Sequence, residues 1–477
     1  MKKTYGVCIG LLAMGITVLV TPAARAQSRL AAGEPGAASE TSATSTATSP
    51  SAPAASSPAD LDQRIGALEA ELASLKSELA EKKEAEAAAP ITPAVAVATP
   101  QDKAPEKVTV ASLLGPTSLS GFVDTYYTWN SNHPIDNSVA LDPFGFRSKS
   151  ISLNMVELIL DKAPDPMGGA AGRTGYHVSL GFGDAMNTVN ASDPAGLGFA
   201  QYLKEAYFSY LAPVGKGLQI DVGKFVTPMG AEVIESKDNW NYSRGILFAY
   251  AIPYYHFGAR AKYTFNDKFN LTGYFVNGWN NVVDNNTGKT YGFSAAFTPT
   301  KKNMLTINYL AGPEENESFF LDTGYNANDF WRQTWDIVYM YNLTSKLTFM
   351  ANYDYAHGDR FVINSSTTPE TLSSPLYVTG IAGYLKYAFN DNNYVAARYE
   401  YFNDRYGIAF GVPQNHVQEF TATYSRTLAT HLLTRFEYRY DNSMKPLFEL
   451  ADFVPRVNSQ NTLTMGLIFL FDSRDAK

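Results

Sequence analysis

The chain has 477 residues, of which 45% are hydrophobic, 13% aromatic and only 18% charged, with a mean hydropathy of -0.18. Beyond residue 20 there is no uninterrupted apolar run of about 18 residues, which excludes membrane-spanning helices but leaves enough apolar residues for a large ordered domain. Aromatic-rich sequence with alternating polarity is typical of an outer-membrane β-barrel, although soluble β-rich proteins share much of this composition. The formal charge of -8 argues against nucleic acid as a partner.

Residues 1–26 have the features of a secretory signal peptide. Two lysines precede an apolar core, and Ala24-Arg25-Ala26 forms a small-x-small cleavage site. We therefore expect the mature chain to begin near Gln27 with a formal charge of -11, because two lysines and one arginine leave with the signal. Cys8, the single cysteine, lies in this segment and fits a lipobox poorly, so we expect a mature protein without disulfides.

Three further segments precede the strands. Residues 27–60, rich in Ala, Ser, Thr and Pro, predict a disordered leader, and residues 90–117 predict a Pro- and Ala-rich linker. Between them, residues 61–89 predict a coiled-coil helix that associates, because about three heptads are short for an isolated helix. Its seam consists of Leu61, Ile65, Leu68, Leu72, Leu75 and Leu79. The alternative is a single amphipathic helix docked on another surface, and the seam does not decide between two and three chains.

From Ser118 to Phe471 strand-like runs alternate with turn signals, and we predict sixteen strands with an error of about two. Tight turns such as Asn266-Asp267-Lys268 alternate with much longer gaps, the pattern of a barrel with short periplasmic turns and long external loops. The connection from Lys162 to Arg173 is an exception, since it is long where a tight turn is expected. The predicted fold is an all-β, transmembrane, antiparallel up-and-down β-barrel over residues 118–471, in the bacterial outer membrane, with the coiled coil in the periplasm.

Alternation within strands sorts the side chains into two faces. In the run 432–441, Arg435, Glu437 and Arg439 alternate with apolar and aromatic residues, and the run 347–355 alternates in the same way. An Arg or Lys facing lipid at mid-bilayer costs about 2–4 kcal/mol, so the charged rows should point into the lumen. Around residues 156–160 the alternation fails, which predicts a bulge or an oligomer contact in the second strand.

The last strand carries a C-terminal pattern. Gly466, Phe469 and Phe471 fit a polar-x-Gly-x-x-aromatic-x-aromatic arrangement that resembles the signal read by the barrel-assembly machinery. Residues 472–477 would then form a short overhang.

Residues 227–255 form the longest gap between strand-like runs in this part of the chain. A loop of this length inside a hairpin array is usually functional. Its return, residues 247–255, is too apolar to remain in solvent. We therefore expect this third external loop to fold back inside the barrel and to narrow a pore.

The run Gly-Lys-Phe-x-x-Pro-x-Gly-x-Glu at residues 223–232, followed by residues 252–260, resembles the OmpL-like β-barrel porin family. The resemblance covers roughly Ser118 to Phe471. It implies a passive outer-membrane channel for small hydrophilic solutes. By analogy with general porins, it also implies a third loop inside the lumen and a homo-oligomer, with a trimer favoured. The helix at residues 61–89 departs from the simplest porins.

A pore selects by its width and by the field across its constriction. The candidate constriction residues, all on the third loop, are Glu232, Glu235, Asp238 and Arg244. The candidate pore-wall cations are Arg260, Lys262, Arg398, Arg435 and Arg439. Charges of opposite sign across the constriction would favour polar solutes over apolar ones. The net negative charge of the chain weakly favours cations over anions. Alternatively, these charges form salt bridges with Glu400, Glu437 or Glu205 that only keep the lumen ordered.

Catalytic motifs find little support in the sequence. Six histidines are scattered, and neither an HExxH motif nor a Gly-x-Ser-x-Gly elbow is present, so we predict no enzyme, no metal and no cofactor. The second function class is a structural or adhesive barrel that ties the outer membrane to the cell wall through its coiled coil. The expected partners are outer-membrane lipid, the barrel-assembly machinery and small hydrophilic solutes.

Overall fold

The computed structural model describes residues 116–320, 325–358, 361–362, 370–371, 376–451 and 456–476. The predicted signal peptide, leader and coiled coil lie outside these residues, as does the predicted linker up to residue 115. Within the described ranges, no helix has both the length and the apolar character needed to cross a membrane.

Sixteen strands close into one antiparallel barrel, in which β1 also pairs with β16. The strands are β1 Ser118–Asn130, β2 Ile151–Lys162, β3 Thr174–Phe182, β4 Leu203–Ala212, β5 Leu218–Val226, β6 Tyr255–Asn266, β7 Phe269–Val276, β8 Thr290–Thr300, β9 Asn303–Pro313, β10 Trp331–Asn342, β11 Leu347–Gly358, β12 Leu376–Asn390, β13 Asn393–Asp404, β14 Asn415–Ala429, β15 Leu432–Ser443 and β16 Ser459–Asp472. A small ribbon pairs Phe361–Val362 with Glu370–Thr371 between β11 and β12. The predicted antiparallel up-and-down barrel and the predicted number of sixteen strands are confirmed.

Short helical segments lie in the connections. The α-helical segments are α1 Gly169–Gly172, α2 Asp184–Asn190, α3 Leu197–Ala200 and α4 Ile246–Tyr250. The 3-10 turns are Ser236–Asp238, Glu317–Phe320, Ala327–Asp329 and Ser473–Ala476.

The connections alternate in length, as predicted. Residues 267–268, 301–302, 391–392 and 430–431 form tight turns at one end of the barrel, which we call the turn end. The long connections leave from the opposite end, the loop end, and residues 227–254 form the third of them. The connection between β2 and β3 is long although it lies at the turn end, because it contains α1.

Burial alternates along the strands in the predicted sense. On β15, Arg435, Glu437 and Arg439 are buried, whereas Phe436 and Tyr438 are exposed on the outer wall. The same holds on β11, where Asn352 and Asp354 point inward. An apolar outer face and a polar inner face are what a membrane barrel requires.

The second strand contains a bulge, but it lies just before the run 156–160 in which the alternation was expected to fail. Asp124 pairs with Met155 and Thr125 with Leu153, so Asn154 is the extra residue, and both Asn154 and Met155 are buried. The pairing register between β3 and β4 also shifts by one residue, and Lys204 is the extra residue there. Each bulge places two successive side chains on the inner face.

The main hydrophobic cluster includes the return of the third loop. Phe248 and Tyr254 pack around Phe144 of the first loop, with ring centroids 5.7 and 5.4 Å from that of Phe144. Ile246 and Leu247 are fully buried in the same cluster. The apolar return, residues 247–255, is therefore buried inside the protein, as its composition requires.

Candidate functional site

The third loop, residues 227–254, leaves β5 and first contacts inward side chains of β9 and β11. The carbonyl oxygen of Pro228 accepts a hydrogen bond from Asn308 Nδ2 at 3.0 Å, and the backbone N–H of Ala231 donates to Asn352 Oδ1 at 3.1 Å. Both asparagines are buried. The start of the loop thus extends from β5 to strands several positions around the barrel.

Two carboxylates of the barrel wall hold the backbone of the turn at residues 242–247. Glu437 on β15 accepts hydrogen bonds from the N–H groups of Tyr242 and Ser243 at 2.5 and 2.9 Å. Glu400 on β13 accepts from the N–H group of Ile246, and more weakly from the next N–H. Four backbone N–H groups of this turn therefore find their acceptors on two buried side chains of the wall.

Arg398 on β13 connects the loop to the wall. Its guanidinium lies 2.6 Å from a carboxylate oxygen of Glu232 on the loop and 2.9 Å from one of Glu419 on β14. It also donates to the carbonyl oxygen of Ser243 at 2.7 Å. The other Glu232 oxygen accepts from the N–H of Gly245 at 2.6 Å. These groups are almost entirely buried, so the predicted constriction acid Glu232 and wall cation Arg398 form an internal ion pair.

Arg435 and Arg439 on β15 also bind the loop backbone. Arg435 donates to four loop carbonyl oxygens, those of residues 236, 237, 239 and 241. Arg439 donates to the carbonyl oxygen of Arg244 at 2.9 Å and pairs with Asp441 at 2.9 Å. Each arginine is 1% exposed, so its charged group contacts protein atoms and not solvent.

Arg244 stabilises the loop from within. It donates to the carbonyl oxygens of Ile234 and Tyr242, and to Asn154 Oδ1 at the β2 bulge at 3.2 Å. Its guanidinium lies 4.8 Å from the ring centre of Phe144. With 1% exposure it joins two arms of the loop and presents no free charge.

The other two predicted constriction acids differ from each other. Glu235 forms an ion pair with Lys204, the bulge residue of β4, which also contacts Glu157 at 2.8 Å and Glu205 at 3.4 Å. The Asp238 side chain remains 55% exposed next to Lys237. Of the predicted loop charges, Asp238 is therefore the most accessible.

The predicted wall cations on β6 are the accessible ones. Arg260 pairs with Asp221 at 2.8 Å and retains 21% exposure. Its guanidinium lies 4.9 Å from the ring centre of Tyr207 and 4.6 Å from that of Phe225. Lys262, two residues along the same inward row, is exposed. Among the described residues, the loop makes one hydrogen bond to the strands β5–β8, between Thr227 and His256 at its own start. The N–H of Tyr254, at its end, donates to Asn280 in the connection between β7 and β8 at 2.7 Å.

The three residues of the C-terminal pattern point in different directions. Phe469 is 51% exposed on the outer wall and Phe471 is partly exposed, whereas Gly466 faces inward. The ring of Tyr242 covers Gly466 so closely that a Cβ atom there would lie 2.5 Å from it. The Tyr242 hydroxyl donates to Asp124 of β1 at 2.9 Å. Gly466 thus also makes room for the third loop.

Lys204, Glu419 and Asp124 contribute to the site but were not predicted. Glu419 and Asp124 lie on the inward faces of their strands, and alternation places them there. Lys204 points inward because of a bulge, for which the adjacent polar pair Lys204-Glu205 is the only sequence signal. Nothing in the local pattern identifies their partners on the loop.

Comparison with known families gives a match over most of the chain. The sequence profile of the family described as "Putative beta-barrel porin-2, OmpL-like" matches residues 116–471. No protein among those with curated function matches significantly.

Solved outer-membrane barrels resemble the fold at low sequence identity. The trimer form of OmpT, an outer membrane protein of Vibrio cholerae, is 12% identical with a TM-score of 0.47, covering 74% of this chain and 99% of that one. An anion-selective porin from Comamonas acidovorans is 11% identical with a TM-score of 0.46 and the same coverage. The outer membrane channel DcaP of Acinetobacter baumannii is 10% identical with a TM-score of 0.46, covering 74% of this chain and 97% of that one.

Proposed function

Because the chain belongs to the OmpL-like β-barrel porin family, we propose that it gives small hydrophilic solutes or ions passive passage across the outer membrane. Membership of a porin family and a closed sixteen-strand barrel point to an outer-membrane channel rather than an enzyme. We also propose that the third loop narrows the pore.

One observation above all supports this narrowing: inward charged side chains hold the third loop along its length. Glu437, Glu400, Arg398 and Arg435 all point into the barrel, and all of them bind the loop. A loop held by the inner wall occupies part of the lumen and reduces the cross-section open to solutes.

The charges proposed to set selectivity are those that remain accessible. They are Asp238 on the loop and Arg260 and Lys262 on β6. The buried pairs, including Glu232 with Arg398, act on selectivity indirectly by fixing the position of the loop. A pore field requires charges that solutes can approach, since buried ion pairs largely cancel.

Planar-bilayer recordings of single-channel conductance and of reversal potential in a salt gradient test the proposal. Wild type should give discrete open steps, and Arg260→Gln/Lys262→Gln should shift selectivity towards cations. Lys301→Gln/Lys302→Gln is the matched control, because it removes two exposed lysines from a tight turn. If Arg260→Gln/Lys262→Gln keeps the wild-type reversal potential, these two charges do not set the ion selectivity of the pore.

The same recordings separate a channel from the structural or adhesive barrel. Folded protein that never conducts would contradict the channel and favour a tether between the outer membrane and the cell wall. We further propose a homo-oligomer, with a trimer favoured, in which the periplasmic helix at residues 61–89 strengthens association. Deletion of residues 61–89 should then weaken oligomer bands on unheated gels.

A further inference from the structure

Two aspartates face each other on the inner wall, next to the start of the third loop. Asp336 on β10 is the direct cross-strand partner of Asp354 on β11. They are 0% and 1% exposed. Like charges directly opposite on adjacent strands destabilise a sheet, and a buried charge requires a partner, so this pair needs a specific explanation.

Neutral amides surround the pair. Asn352 Nδ2 donates to Asp336 at 2.7 Å and to Asp354 at 3.3 Å, and Asn308 Nδ2 donates to Asp336 at 2.6 Å. No lysine or arginine in the described part of the chain forms a salt bridge with either aspartate, in contrast to Asp221, which pairs with Arg260. The two carboxyl groups also lie within hydrogen-bonding reach of each other, and amide donors do not remove the repulsion between two ionised carboxylates, which only a shared proton or a cation removes.

Three buried oxygens without a hydrogen-bond partner lie on the inner faces of β9, β10 and β11 beside this pair. They are Asp354 Oδ2, Asn308 Oδ1 and Thr334 Oγ1. The orientation of the Asn308 amide is fixed because its nitrogen donates to both Asp336 and the carbonyl oxygen of Pro228. Thr334 is fully buried on the same face of β10, two residues before Asp336. Leaving a buried polar atom unsatisfied costs about 1–3 kcal/mol, so three such oxygens on neighbouring strands point to a ligand that oxygens bind.

We propose that Asp336, Asp354, Asn308 and Thr334 bind a hard divalent cation of the calcium class. Calcium prefers oxygen ligands and accepts carboxylate, amide and hydroxyl oxygens in flexible geometry. Two carboxylates match its charge. The described residues contain no group of three or more His, Cys, Asp or Glu with metal-binding geometry, so this site depends on neutral oxygens beside its two acids.

The bound cation would fix the start of the third loop. Asn308 holds the carbonyl oxygen of Pro228, and Asn352 holds the N–H of Ala231, so both asparagines connect the acid pair to the loop. A cation that neutralises Asp336 and Asp354 would stabilise these contacts. The proposal does not depend on conductance, and each can fail without the other.

Calcium titration of the folded full-length protein in detergent, after EDTA treatment and dialysis, tests the site by calorimetry. Wild type should bind one calcium ion per chain. Asp354→Asn should bind about tenfold more weakly or worse, since the number of charged ligands sets calcium affinity, and Asp336→Asn/Asp354→Asn should not bind. Asp267→Asn, in an exposed turn, is the matched control and should bind as wild type does.

Thermal melting in EDTA shows whether the variants still fold. In EDTA, Asp336→Asn/Asp354→Asn should melt no lower than wild type, because removing the charges relieves their repulsion. Thr334→Val removes one hydroxyl at nearly constant volume and should weaken calcium binding several-fold with the fold intact. Wild-type protein that binds no calcium, or Asp354→Asn and Thr334→Val variants that bind it as wild type does, would overturn the proposal.

Discussion

The inner wall has two regions that use similar residues differently. On β13–β15, Arg398, Arg435 and Arg439 are at most 1% exposed and bind the third loop. On β6, Arg260 and Lys262 keep contact with solvent. We call the first region the loop-bound wall and the second the open wall. An inward-facing charge is therefore not automatically accessible, because what lies opposite decides whether it binds the loop or faces solvent.

The largest expected effect comes from breaking the loop-bound wall at Arg398. Arg398→Met leaves the carboxylates of Glu232 and Glu419 buried without their cation, so the free energy of unfolding should fall by about 3–5 kcal/mol. Urea unfolding measures this loss, and single-channel recordings should show larger, noisier openings. Arg405→Met, at an exposed loop arginine, should change the stability little. A stable Arg398→Met protein with wild-type openings would show that the pairing does not fix the loop.

A second test concerns a buried acid outside both walls, in the loop after β9. Burial raises the pKa of Glu314 from 4.5 to about 7, although it accepts hydrogen bonds from Thr290 Oγ1 and the Trp279 N–H. Its neutral form is favoured in the folded state, so its contribution to stability is complete below about pH 4.5 and is lost as the pH rises through about 7. The loss between these limits is at most about 3 kcal/mol.

Glu314→Gln should flatten this pH dependence. Urea unfolding at pH 5 and pH 8 gives the difference in stability for each protein, and other titrating groups contribute alike to both. An unchanged difference in the variant would mean that Glu314 ionises normally in the folded protein.

Gly466→Val tests the contact between the third loop and β16. The new side chain would collide with the Tyr242 ring, and overpacking of this kind costs about 1–3 kcal/mol. Gly273→Val is the matched control, because a Cβ atom at Gly273 meets no heavy atom within 4 Å. Equal losses of stability in the two variants would show that Gly466 is not needed for the close approach of the loop.

The smallest effect is expected for Tyr394→Phe. The Tyr394 hydroxyl accepts from Arg435 at 2.9 Å and donates to the carbonyl oxygen of Trp240 at 3.2 Å. Its removal should lower the free energy of unfolding by about 1 kcal/mol. Tyr291→Phe, on the exposed outer wall, should leave it unchanged. Equal values for the two variants would mean that this hydroxyl does not support Arg435.

The barrel could be predicted because its signals are local. Alternation on β11 and β15 identifies strands and faces, and tight turns give their order. The roles of the charged residues could not be predicted in the same way. Arg435 points inward by its position in the strand, but its partners at residues 236–241 lie almost two hundred positions away in the sequence. Bulges add a second difficulty, since Lys204 faces inward only because the register shifts.

Chemical modification of the third loop tests directly whether this loop narrows the pore. Val233 is the loop's exposed valine, at 41%, and Cys8 lies in the predicted signal peptide, so the mature Val233→Cys protein should carry one thiol. A charged methanethiosulfonate reagent should then reduce single-channel conductance. Val283→Cys, an exposed valine of the fourth long loop at 45%, should conduct as before after the same treatment. Complete labelling of Val233→Cys without any change in conductance would contradict a pore narrowed by the third loop.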